Sequence, residues 1–120
     1  MSANVTVRAH ELQEWIKQGK ILEAMTEFYD ASIAMQENRK PATVGLQANI
    51  EREKQFLAQV KEFKGYEVKS LSIGADVSAV EAVMEFVNQQ NQPVRLEQVS
   101  IQRWKNGKII HERFYYDSAA

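Results

Sequence analysis

Apolar residues recur along the first part of the chain at the spacing of a helix. Val5, Ala9, Leu12 and Ile16 fall at i, i+4, i+7 and i+11, with Trp15 beside them. That pattern lines one face of a structure with 3.6 residues per turn. Thr6 is placed to cap this helix and Gly19 to end it. A second stripe of Ile21, Ala24, Met25 and Phe28 follows at once, so two short helices are expected to meet in a bend at the glycine. Ala31 to Glu37 reads as a short strand, broken by Asn38-Arg39-Lys40-Pro41. After Gly45, one helical face carries Leu46, Ile50, Glu53, Leu57 and Val60. Phe56 and Phe63 widen that face, and Gly65 is expected to close the helix.

From Tyr66 onward the pattern turns to β, with strands expected at about 66–74, 79–89, 94–105 and 108–116. Asn106-Gly107 marks a hairpin, because both central positions of a type I′ turn need positive φ. Gln90-Asn91-Gln92-Pro93 is the turn before it, and Gly74 and Asp76 mark a bend. The order ααβαββββ, with helices segregated from a mainly antiparallel sheet, predicts an α+β fold in one domain spanning 1–120.

Alternation along these strands is mixed. Leu96, Gln98, Ser100, Gln102 and Trp104 share one face, and Arg95, Glu97, Val99, Ile101 and Arg103 share the other. In the preceding strand Val80, Ala82, Met84 and Phe86 oppose Glu81, Val83, Glu85 and Val87. A sheet with one solvated face would separate apolar from polar more cleanly. Either the strands are irregular with polar edges, or one face lines a partly polar cavity and the other meets a partner.

Composition narrows the function. Fifteen Lys and Arg against sixteen Asp and Glu leave the 120-residue chain at a net charge of −1. That balance argues against a nucleic-acid partner, which calls for a basic excess. Arg39–Lys40 and Arg103–Lys105–Lys108 read as solvated loop and turn charge. With no cysteine there is neither disulfide nor thiol chemistry, which fits a reducing compartment. No run approaches the roughly 18 apolar residues of a membrane span, and the first residues lack the apolar stretch of a signal peptide. A cytoplasmic protein without membrane contact is expected.

The element order, Phe28-Tyr29-Asp30 at the end of the second helix and Thr43-Val44-Gly45 before the third carry a family resemblance. Met35-Gln36-Glu37-Asn38, the run from Val99 to Ile109 and Glu112-Arg113-Phe114-Tyr115-Tyr116-Asp117 add to it. From about Arg8 to Asp117 the chain resembles the SnoaL-like proteins of the nuclear transport factor 2-like superfamily, which includes ketosteroid isomerase and polyketide cyclases. The resemblance implies a sheet bent around a cone-shaped pocket for a small-molecule ligand, and a homodimer formed through the convex side. It points Gln36, Val83, Glu85, Gln98, Ser100, Gln102, Glu112, Phe114 and Tyr116 inward. It carries function weakly, because the fold also hosts binders and assembly adaptors.

Chemistry is then expected at Glu112 and Glu85, with Gln36, Gln98, Ser100, Gln102, Phe114 and Tyr116 as ligand-binding residues. A carboxylate in a dry pocket has a raised pKa, which suits it to move protons near neutral pH. Alternatively, these groups satisfy one another or lie in water at the pocket mouth. The isomerase's base position falls on Gln36, or on Glu37 if the strand slips by one residue. Its tyrosine falls on Leu12 and its second aspartate on Ser100, so that mechanism does not transfer. His10 and His111 have no ligand spacing that suggests a metal, and no phosphate loop or nucleophile elbow appears. No metal and no cofactor are expected.

Overall fold

The computed structural model describes residues 4–117. Helix α1 (Val5–Lys17) is capped by Asn4, whose side chain accepts from the Val7 amide, rather than by Thr6, which lies inside the helix. Gly19 ends it as expected: at φ +79 it directs its amide to the Ile16 carbonyl (2.9 Å) and that of Lys20 to Trp15 (2.9 Å). This paired closure calls for a left-handed residue, which glycine provides without a Cβ clash. Helix α2 (Ile21–Phe28) follows directly and buries Ala24, Met25 and Phe28.

Strand β1 (Tyr29–Glu37) turns through Asn38 into β2 (Thr43–Val44), a two-residue strand that the sequence pattern does not reveal. Helix α3 is Leu46–Leu57 and stops well before Gly65. Val60 and Phe63 instead belong to β3 (Val60–Ile73). Their spacing continues the helical stripe, but they are paired along β4 (Val77–Asn88) through Asn88 and Phe86. β-branched and aromatic residues are well suited to such pairing. Strands β5 (Pro93–Lys105) and β6 (Lys108–Tyr115) complete the chain. Asn106 and Gly107 have φ of 52° and 78°, the two positive values the hairpin demands.

The six strands form one sheet in the order β2-β1-β6-β5-β4-β3. Every neighbouring pair is antiparallel except β1 and β6, which run parallel. Register shifts interrupt β3 against β4, β5 against β6 and β1 against β6. Each such irregularity bends a strand and increases its twist, which gives the sheet its curvature. The helices occupy the concave side. Leu12, Met25, Phe28, Ile33, Trp104 and Ile109 form the centre of the core there. Trp15 meets Phe28 edge-on at 5.4 Å, and the Arg8 guanidinium sits 4.3 Å from the Phe28 ring centre. No helix among the described residues is long and apolar enough to cross a membrane.

Candidate functional site

Cross-strand register builds a polar row across the concave face. Ser78 lies opposite Gln102, Gln102 opposite Glu112, and Glu112 opposite Met35. Ser78, Gln102 and Glu112 are each at most 2% exposed. Their hydrogen bonds run in one direction. The Trp104 indole Nε1 donates to Ser78 Oγ (2.9 Å), Ser78 Oγ donates to Gln102 Oε1 (2.6 Å), and Gln102 Nε2 donates to Glu112 Oε2 (2.8 Å). An indole can only donate. Ser78 therefore sends its own proton to Gln102, and the Gln102 amide must turn its nitrogen to Glu112. The Tyr29 phenol donates to the other carboxylate oxygen, Oε1, so both oxygens of Glu112 are engaged.

Burial raises the Glu112 pKa, and hydrogen bonds from Tyr29, Gln102 and Ser100 pull against it without cancelling the rise. Burial and then the neighbouring Glu112 charge also push the Tyr29 phenol well above its ordinary value. Tyr66 of β3 is raised by the same two causes, and its hydroxyl donates to Gln13 Oε1 at 2.6 Å. The Gln13 Nε2 is buried without a hydrogen-bond partner among the described residues.

A second carboxylate enters from α3. Glu53 shares the helical face of Leu46, Ile50 and Leu57, and that face turns inward. Burial first, then the charges of Glu112 and Glu37, raise its pKa to about 7 against the opposing pull of Arg52. Unlike Glu112 it is only half-buried. The sequence does carry a signal for this residue, since a glutamate stands within an apolar stripe. At the open end, the Tyr116 phenol donates to Glu37 Oε1 (2.7 Å), and Arg52 forms an ion pair with the same carboxylate. Burial pushes Glu37 up, but these two partners bring it below its usual range. The hydrogen bond to Glu37 lifts Tyr116 to about 12.

Of the residues expected inside, Glu112, Gln102 and Ser100 come together in the buried row. Phe114 lies opposite Ser100 and packs half-buried on the core. Gln98 lies opposite Ala82 on the same face, half-buried, and Tyr116 stands at the open end. Gln36 and Glu85 do not join them. Gln36 is opposite Arg113, on the convex face, and Glu37 is the residue that turns inward. Glu85 is exposed and paired with Arg95 at 3.3 Å. The inward residues of β4 are Ser78, Val80, Ala82, Met84 and Phe86, the last meeting Phe56 of α3 edge-on at 5.5 Å. Val83 thus shares the outer side with Glu85. In both strands a one-residue difference in register exchanges the faces.

Three helices on the concave side of a bent sheet, with carboxylates and phenols in the interior, define an α+β cone fold. The chain belongs to the SnoaL-like domain family, whose sequence pattern matches residues 1–116. No curated protein matches it by sequence. Among solved structures it is similar to a candidate SnoaL-like polyketide cyclase from Mesorhizobium loti, at 24% identity and a TM-score of 0.80, over 95% of this chain and 100% of that one. A candidate isomerase from Rhodopseudomonas palustris is 19% identical with a TM-score of 0.76, over 99% and 93% of the two chains. A nuclear transport factor 2-like protein of unknown function from Burkholderia pseudomallei is 12% identical with a TM-score of 0.83, over 98% and 93%. At these identities the likeness is one of fold.

Proposed function

We propose that this protein binds a small carbonyl compound in the concave interior and moves a proton at the carbon beside the carbonyl. The observation that carries the reading is the pair of interior carboxylates, Glu53 and Glu112, beside the hydroxyls of Tyr29 and Tyr66. Glu53, with a pKa near 7, is close to half-ionised at neutral pH, where a general base and acid works best. As carboxylate it takes the proton from carbon, the electron pair moves onto the carbonyl oxygen, and the same proton is returned at a second position. The Gln98 amide, half-buried on the inner face, is suited to hold that oxygen. Glu112 is buried beneath, fully engaged by its donors, and acts on Glu53 through its charge. Isomerisation, cyclisation and dehydration all begin with this step.

The test is solvent-deuterium exchange at the carbon next to the carbonyl, followed by NMR over a panel of ketones and β-keto acids that raise the melting temperature. Glu53→Gln is expected to slow exchange by about 10²-fold or more. Glu112→Gln is expected to move the pH profile to lower pH, because it removes a like charge. Exchange unaltered in Glu53→Gln would end the proposal.

A second reading, a non-catalytic dimerisation or assembly domain, is supported by the convex face. There Val99 and Tyr115, opposite each other across β5 and β6, are 37% and 43% exposed. A strict monomer by light scattering at micromolar concentration would count against it.

A further inference from the structure

The turn after β1 and the end of β6 enclose an open cleft of about 720 Å³ that the interior carboxylates do not reach. Its size is that of a small-molecule site. Arg39, Lys40 and Arg113 line it with the rings of Tyr115 and Tyr116. Its charge is opposite to that of the whole chain, which is net −1.

The cleft is held in shape by Asn38. This residue sits at φ +51, a conformation asparagine tolerates better than most. Three of its polar groups are tied to β6 or to the residue following it. Its amide donates to the Phe114 carbonyl (2.8 Å), its carbonyl accepts from Arg113 Nε (3.0 Å), and its Oδ1 accepts from the Tyr116 amide (3.0 Å). The bond to Asn38 and the Tyr115 ring, 4.8 Å away, fix the Arg113 guanidinium. No hydrogen bond or ion pair from its Nη groups or from the Arg39 side chain is found among the described residues, and the Lys40 ammonium acts on Glu37 only through its charge. The carboxylates nearby are Asp117, which has its own contact, and Glu37, which is held by Arg52 and Tyr116. A fixed Arg113 guanidinium with Arg39 and Lys40 beside it is arranged for an anion, and two aromatic walls for an organic one. A nucleic acid would need a far longer basic track than this.

We propose that the cleft binds a small organic anion. Its carboxylate or phosphate is held by Arg39, Lys40 and the Nη groups of Arg113, and its ring lies against Tyr115 and Tyr116. The site stands apart from the interior chemistry and does not depend on it.

The experiment titrates the full chain with benzoate, phenyl phosphate and neutral benzamide, followed by amide chemical shifts and calorimetry. Saturable binding of benzoate or phenyl phosphate is expected, with shifts centred on residues 38–40 and 113–117 and affinity falling as salt rises. The tighter of the two anions identifies the carboxylate or phosphate preference. Arg39→Gln with Lys40→Gln should weaken binding at least ten-fold while leaving the fold intact. Glu53→Gln should leave binding unchanged, so a failure of proton transfer is read separately. Equal binding of benzamide, no binding of either anion, or full affinity in the double variant would each overturn the proposal.

Discussion

Glu53 on α3 and Glu112 on β6 share one interior, and a charge on Glu112 makes a charge on Glu53 harder to hold. The consequence is a stability that depends on pH. The folded Glu53 binds its proton up to about pH 7, against an ordinary value of 4.5. Between those values the folded state holds a proton that the unfolded state has released, so stability falls as pH rises through this window and levels off above it. Glu112 is raised too and adds a slope of the same sign. Glu53→Gln keeps the shape and removes its titration. It is expected to stabilise the protein at about pH 8 by roughly 1–3 kcal/mol and to change little at about pH 5. Urea unfolding at the two pH values measures this, and an unchanged difference between them refutes it.

In the buried row from Trp104 to Glu112 each bond hands on to the next, so removing one member weakens its neighbours on both sides. Gln102→Met preserves volume but removes one of the donors to Glu112, leaving Tyr29 and Ser100, and takes away the acceptor of Ser78. The expected loss is about 2–4 kcal/mol. Tyr29→Phe removes one donor only, at about 1–3 kcal/mol, and raises Glu112 further, so its cost should grow with pH. Denaturant titration of both variants across pH decides the point.

Asn49 is the latch of the β1–β2–α3 corner. Its Nδ2 donates to the carbonyls of Thr43 (2.9 Å) and Gly45 (2.8 Å), and the side chain is buried. Asn49→Ala leaves those two carbonyls without this donor and should cost about 1–3 kcal/mol. Amide hydrogen exchange should show faster opening at residues 43–46 than elsewhere. Uniform opening would show that the latch is not local.

Gly107 is a conformational requirement. At φ +78, in the second central position of the β5–β6 turn, it accepts from Arg8 Nε through its carbonyl at 3.1 Å. Gly107→Ala is expected to cost about 1–2 kcal/mol, read as a lowered urea midpoint. A neutral result would mean that the turn changes type without loss.

Much of the fold is legible because local chemistry and global structure agree. The stripes of α1 and α2, the stop at Gly19 and the Asn106-Gly107 hairpin are set within a few residues of themselves. The end of α3 is not. Leu57, Val60 and Phe63 satisfy a helical spacing as well as a strand, and only pairing with β4 decides between them. The site divides in the same way. The residues of β5 and β6 that face inward lie near a hairpin whose turn anchors the pairing, with one register shift beside it between Arg103 and Trp104. Gln36 and Glu85 sit in strands without such a nearby anchor, and there a shift of one residue reverses inside and outside. Glu53 is visible as an acid within an apolar stripe, but the partner that gives it a chemical character comes from β6.

The parallel contact between β1 and β6 has a consequence for how the molecule comes into being. Tyr29 and Glu112 are bonded across 83 positions of the chain, and the strand that opens the sheet must wait for β6 before it gains its long neighbour. During synthesis the helices and β1 emerge first, with the inner sides of Ile33 and Met35 uncovered and no carboxylate for the Tyr29 phenol. Nothing resembling the interior exists until β6 has been made and slides in beside β1. Folding is then late, long-range and close to all-or-none, and a chain stopped at the Asn106-Gly107 turn would lack a site and a closed core alike.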